Sequence, residues 1–215
     1  MSPKKRDKQT ITEEWFNTLS HGITLLTAIG GMSVLIVFGA ISDKQWTLFS
    51  ALVYGISLVL LYAASSLYHG IQHEKAKRIF NVFDHCSIYL LIAGTYTPVA
   101  LITIGGEIGW WFFGIQWALA FTGIILKIFF IGRFETISVI MYAVMGWMAI
   151  VKAETLYISL PAPAFWLLLS GGVAYTIGIV FYVIDTRMKL AHFIWHLFVM
   201  AGSILHYLMM ALYVF

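Results

Sequence analysis

Long apolar runs recur along the chain, separated by short polar breaks. The pattern predicts helices at roughly 20–41, 47–70, 83–105, 110–131, 136–153, 164–185 and 190–215. A bilayer core about 30 Å thick needs roughly 20 helical residues, and each run meets or approaches that length. The fifth run is the shortest. Apolar residues occur all round these runs, which disfavours amphipathic surface helices. Pro98 lies inside the third run and should kink it, while Pro161 and Pro163 mark the loop before the sixth.

Composition agrees with this pattern. Of the 215 residues, 60% are apolar and only 11% are charged, against about 25% charged in an average soluble domain. Mean hydropathy is +0.87. These values exclude a disordered chain, a nucleic-acid binder and an ordinary soluble globule. They leave an all-α, polytopic, seven-transmembrane helix bundle. The expected organisation is a cytoplasmic N-terminal tail over 1–19 and one membrane domain over 20–215. The basic N-terminus has neither the apolar core nor the small-residue cleavage site of a secretory signal, so the first span reads as an uncleaved anchor. Cys86 is the single cysteine and forms no intrachain disulfide.

The placement of charge sets the expected orientation. With the N-terminus in the cytoplasm, Lys4, Lys5, Arg6, Lys8, Lys75, Lys77, Arg78, Lys127, Arg133, Arg187 and Lys189 lie inside, eleven of the thirteen basic residues. Lys44 and Lys152 lie outside. This bias satisfies the positive-inside rule at every loop and places Phe215 outside. Trp46, Trp110 and Trp111 fit an outer aromatic belt. The chain is expected in the plasma membrane of a bacterium (the inner or cytoplasmic membrane), with membrane lipids as its partners.

Ionisable side chains within spans are costly and point to function. Here they converge at one depth. Ser65 and His69 lie four apart near the cytoplasmic end of the second span, so they share a face. Asp84 begins the third span at the same end. His192 and His196, again four apart, begin the seventh. Three imidazoles with an open position make the ligand set of a catalytic zinc site, Zn2+ suiting neutral imidazole nitrogen. Asp84 is placed to act as a base on metal-bound water. Ser65 is placed to orient a ligand or to donate to a developing oxyanion. His73 shares the face of His69 and is the main rival for third ligand. His85 points about 100° away from Asp84. His206 lies about 15 Å deeper than His196, where an interhelical hydrogen bond is expected. Lys127, Glu154 and Asp185 sit near span ends and are expected to snorkel rather than to act in a site.

Three segments carry a resemblance. Glu14-Trp-Phe-Asn17-Thr-Leu-Ser-His21 has the form E-x-x-N-x-x-x-H at the entry to the first span. Ser65-Ser-Leu-Tyr-His69 with Asp84 has the form S-x-x-x-H…D, and His192-Phe-Ile-Trp-His196 the form H-x-x-x-H. In order and placement these resemble the progestin and adipoQ receptor superfamily, in its bacterial hemolysin III branch. The likeness runs from about residue 13 to 213. It implies seven spans with a cytoplasmic N-terminus. It also implies zinc held by His69, His192 and His196, Asp84 contacting zinc through water, and Ser65 in the same polar cluster. Relatives so implied include receptors with ceramidase-like activity and proteins linked to haemolysis and membrane homeostasis.

The function expected is a zinc-dependent hydrolase of a lipid amide or ester. A zinc-clamped sensor or receptor without turnover is the alternative from a different class. A cytolytic pore is less expected, since a channel needs a polar stripe through several spans and the polar residues here gather at one end. The charge bias gives a direct test. A reporter fused after Phe215 should be extracytoplasmic and one fused at the N-terminus cytoplasmic. The reverse pattern would overturn both the orientation and the inner-leaflet placement of the polar cluster.

Overall fold

A computed structural model describes residues 9–215. The basic tail residues Lys4, Lys5, Arg6 and Lys8 lie outside the described residues. The described chain is all helical. In order, its α-helices are α1 (Ile11–Ile41), α2 (Thr47–Gly70), α3 (Glu74–Pro98), α4 (Gly106–Phe130), α5 (Glu135–Gly146), α6 (Ala153–Ser159), α7 (Ala162–Val183) and α8 (Ala191–Met209). Seven membrane-length spans result among the described residues, with α5 and α6 together forming the fifth.

Where the boundaries differ from the sequence pattern, local chemistry explains them. α1 starts at Ile11, well before residue 20, because Thr10 and Glu13 form a capping box: Thr10 Oγ1 accepts from the Glu13 N–H, and Glu13 Oε2 accepts from the Thr10 N–H at 2.8 Å. The helix thus begins in a polar segment that hydropathy assigns to the tail. α3 likewise starts at Glu74, where His73 Nδ1 accepts from the Ala76 N–H at 3.4 Å. His73 is therefore an exposed helix cap rather than a rival third ligand. At Pro98 the helix does not simply kink. It passes into a π-helical turn over Val99–Ile104, a wider winding that suits a site lacking one backbone donor. A second π-turn, Met210–Val214, ends the last span.

Successive helices pack side by side, and α1 closes back onto α8. α3 is the hub: 67% of its most apolar stretch is buried, against 11% for the fifth span, which lies at the rim. That rim span breaks at Trp147, where a 3₁₀ turn (Met148–Lys152) separates α5 from α6. A break in a bilayer frees backbone groups that no water can satisfy. Neighbouring side chains take them up. Gln116 Nε2 donates to the Met145 carbonyl at 2.9 Å, and the Tyr96 hydroxyl donates to the Gly146 carbonyl at 2.7 Å while accepting from the Ala149 N–H at 2.7 Å. At the far end, Lys44 Nζ donates to the Val214 carbonyl at 3.1 Å and ties the α1–α2 loop to the end of the last span. Trp46 and Trp110 meet edge to face there, 5.1 Å apart.

Lys127 departs from expectation. It does not snorkel. Its side chain is 1% exposed and its Nζ donates to Glu135 Oε2 at 2.8 Å, pinning the end of α4 to the start of α5. Glu135 is 32% exposed, so the two partners differ in what removal leaves behind. Glu135→Ala strands a buried ammonium and should cost about 3–5 kcal/mol of unfolding free energy. Lys127→Met fills the same space without charge and should cost markedly less. Reversible unfolding in mixed micelles would measure both, and the opposite order would show that burial of Lys127 is not the controlling term.

Candidate metal centre and cavity

The polar face of α1 comes first. Asn17, His21 and Thr24 are buried and spaced three to four apart, so they line one side of the helix. That side meets the end of α2 that carries Ser65 and His69 and the start of α8 that carries His192 and His196. Phe16 and Phe193 pack at 5.4 Å beside this junction. The Leu190 N–H, at the start of α8, donates to Glu13 Oε1 at 2.8 Å, so α1 also fixes where α8 begins.

His69, His192 and His196 gather into a compact triangle. Their ring centroids are 5.1, 5.0 and 4.9 Å apart. One ring nitrogen from each lies within 4.8 Å of the other two. The hydrogen bonds show which nitrogens remain. His69 Nδ1 is 2.7 Å from Glu14 Oε2, and Glu14 Oε1 accepts from Lys77 Nζ at 2.8 Å. Asn17 Nδ2 lies 3.5 Å from the same His69 nitrogen. His192 Nδ1 is 3.3 Å from Asp185 Oδ2. A carboxylate accepts only, so both histidines carry their proton on Nδ1 and turn an Nε2 lone pair inward. Nε2 of His69 and of His192 are buried without a hydrogen-bond partner among the described residues, and His196 is fully buried beside them. Unpartnered, convergent lone pairs backed by carboxylates are what a metal ion requires of imidazole ligands. The three histidines could hold such an ion.

His21 belongs to the same cluster. Its ring stacks on His196 at 3.7 Å with an 11° interplanar angle and meets Tyr62 edge-on at 5.0 Å. Behind it opens a largely apolar cavity. His21, Ser65 and Asp84 line one end, and His206 lines the other. Asp84 is 6% exposed, and the Ser65 hydroxyl bonds to its carboxyl group. The cavity passes between α5 and α7, where Gly146 and Thr176 are exposed on the outer surface of the bundle. Trp147 Nε1 donates to Thr176 Oγ1 at 2.9 Å and bridges that gap.

The comparisons with known proteins fit this arrangement. The model of a family described as haemolysin-III related matches residues 9–207. The chain belongs to that family. It is 42% identical to Hemolysin-3 of Bacillus cereus over 209 residues, covering 97% of this chain and 95% of the relative. It is 43% identical to the Hemolysin-3 homolog of Bacillus subtilis (strain 168) over 194 residues, covering 90% and 91%. A more distant relative is the human Monocyte to macrophage differentiation factor, 27% identical over 207 residues, covering 94% and 84%. The haemolysin-III protein described here is thus a multi-pass membrane protein, and a plasma-membrane location accords with its bacterial relatives.

Two residues of this haemolysin-III site escaped the sequence reading. Asp185, expected to snorkel, instead faces a ring nitrogen of His192, and nothing in its loop position signals that. Glu14 lies in a recognised motif, but only the folded chain joins it to His69 and Lys77. His85 is half-buried, and its backbone carbonyl accepts from the Tyr142 hydroxyl at 3.1 Å. In chelator-stripped protein titrated with cobalt or zinc, His196→Ala should abolish high-affinity binding. Glu14→Gln and Asp185→Asn should each weaken it by about 10–100-fold, the usual effect of losing a carboxylate behind a ligating histidine. Unchanged affinity in Glu14→Gln would mean that the carboxylate does not orient His69.

Proposed function

We propose that this haemolysin-III protein is a zinc-dependent hydrolase of lipid amide or ester bonds, working at the cytoplasmic leaflet in membrane homeostasis. The observation that carries the reading is a buried carboxylate, Asp84, bonded by Ser65 and lining a cavity whose walls are otherwise mostly apolar. A soluble substrate would have no reason to enter such a cavity, whereas an acyl chain would fill it.

His69, His192 and His196 would hold the zinc, each through one imidazole nitrogen, which suits that ion. Zinc bound there supplies a Lewis acid that polarises a carbonyl and makes water a stronger acid. The remaining work falls to the chain. Asp84 takes the proton that an attacking water loses and delivers it to the departing nitrogen or oxygen. Ser65 holds the Asp84 carboxylate in one orientation through its hydroxyl. The apolar walls contributed by α3, α5 and α7 keep bulk water from the reacting bond. Lipid enters sideways between α5 and α7, past Gly146 and Thr176. The basic residues near the same end favour anionic headgroups and the cytoplasmic side.

Asp84→Asn preserves shape and removes the proton acceptor. In intact membranes or lipid discs, turnover of a lipid amide or ester should fall about 10²–10⁴-fold while zinc content stays unchanged. Fully zinc-loaded wild-type protein that turns over no such lipid would overturn the hydrolase. The cluster would then stand as a clamp joining α1, α2 and α8, and chelation alone should lower the unfolding temperature.

A further inference from the structure

The deep end of the cavity has a polar feature that hydrolysis does not use. His206 Nε2 lies 3.0 Å from the Leu168 carbonyl oxygen. A carbonyl only accepts, so Nε2 carries the hydrogen and donates. In the neutral ring Nδ1 then bears a lone pair. That Nδ1 is buried and has no hydrogen-bond partner among the described residues. A buried acceptor left unpaired is costly, so it calls for a donor.

The surroundings hold this ring in place. Gly171 packs directly against it, and any side chain there would overlap the imidazole. The Tyr175 ring lies 5.5 Å away, and the Tyr175 and Ser203 hydroxyls are 2.7 Å apart. Tyr62 bonds the Ser203 hydroxyl as well, so three hydroxyls share two hydrogen bonds and one O–H of the chain is left to donate elsewhere. Ser203 and His206 are three apart on α8 and share a face. A free acceptor therefore lies near a chain of hydroxyls with one O–H to spare, which suits a ligand hydroxyl, a donor and acceptor in one.

Position fixes where that hydroxyl would sit on a ligand. His206 lines the cavity that begins at Asp84 and also a second, apolar cavity that continues past Val99 and Leu156. A chain that runs from the metal end into the second cavity passes it. The ten residues from His196 to His206 span about 15 Å of helix. An extended hydrocarbon advances about 1.3 Å per carbon, given a carbon–carbon bond near 1.5 Å. The separation is then about twelve carbons.

We propose that His206, with the Tyr175–Ser203 pair, forms a hydroxyl-recognition site that selects lipids carrying a chain hydroxyl about twelve carbons from the headgroup. The inference rests on the reading that a lipid lies in the cavity with its head toward the histidine cluster, but not on turnover.

The test is a competition in zinc-loaded protein in lipid discs, displacing labelled octadecanoate with unlabelled octadecanoate, 12-hydroxyoctadecanoate or 6-hydroxyoctadecanoate. The 12-hydroxy chain should compete about five- to tenfold better than the plain chain, the worth of one buried hydrogen bond. The 6-hydroxy chain should compete worse than the plain one, since its hydroxyl meets apolar wall. His206→Phe and Tyr175→Phe should each reduce the preference for the 12-hydroxy chain while leaving zinc content unchanged. Retained binding of octadecanoate by either variant establishes that its cavity is intact. Equal competition by the 12-hydroxy and plain chains in the wild type would overturn the inference, as would a preference that survives in both variants. Failure of wild-type protein to bind octadecanoate at all would instead remove the lipid-filled cavity, and the hydroxyl site with it.

Discussion

A polar group inside a bilayer must find its partner within the protein, because no water is there to supply one. That constraint shapes the whole bundle. It explains why the break in the fifth span is tolerable only with Gln116 and Tyr96 at hand to take up the freed backbone groups. It explains why Lys127 is buried beside Glu135 rather than left alone. It also gives the exceptions their meaning. Isolated buried atoms such as Ser50 Oγ and Gln116 Oε1 are also unpaired, but unpaired groups that gather in a cluster or line a cavity mark places suited to something else. His69 and His192 leave ring nitrogens unpaired in one cluster, and His206 leaves one beside the adjoining cavity.

The fold and the site were legible in the sequence to different depths. Seven spans follow from hydropathy because the bilayer imposes a length on every helix. The caps did not follow so readily. Thr10 and Glu13 start α1 inside a polar stretch, where a hydropathy window averages their signal away. The convergence of His69, His192 and His196 could be read because helical spacing and charge bias independently assign a depth to each. The carboxylates behind them could not. Glu14 reaches His69 across 55 residues of sequence, and Asp185 reaches His192 from a loop whose path periodicity does not describe. Lys127 was misread for a related reason. Proximity to a span end suggests snorkelling, and only the turn into α5 brings Glu135 within 2.8 Å.

The architecture separates rigid work from mobile work. α1, α2 and α8 carry the histidines and are cross-braced by Glu13 to the start of α8 and by Glu14 to His69 and Lys77. A cluster of neutral imidazoles needs that bracing, since its convergent lone pairs repel one another without an ion between them. The fifth span stands apart. It is broken, lightly packed and at the rim, and it forms one side of the gap into the cavity. The Trp147–Thr176 bridge to α7 there lies beside two exposed or half-buried glycines, Gly146 and Gly172. Opening the gap would disturb little of the packing that fixes the histidines.

This division bears on how one fold serves relatives with such different names. The polar cluster is assembled by helices whose spacing is set by the membrane and by a few buried ion pairs. The cavity beyond it is lined by side chains whose size and polarity can vary without disturbing that assembly. Gly171 shows how local the choice is: because it has no side chain, the imidazole of His206 fits against α7, and with it comes an acceptor deep in an apolar wall. A larger residue at 171 would displace the ring and leave the same cluster serving a cavity of different polarity. Discrimination between lipids would then reside in α7 and α8 at the deep end, some 15 Å from the histidines, and chemistry and selectivity could diverge independently within one bundle.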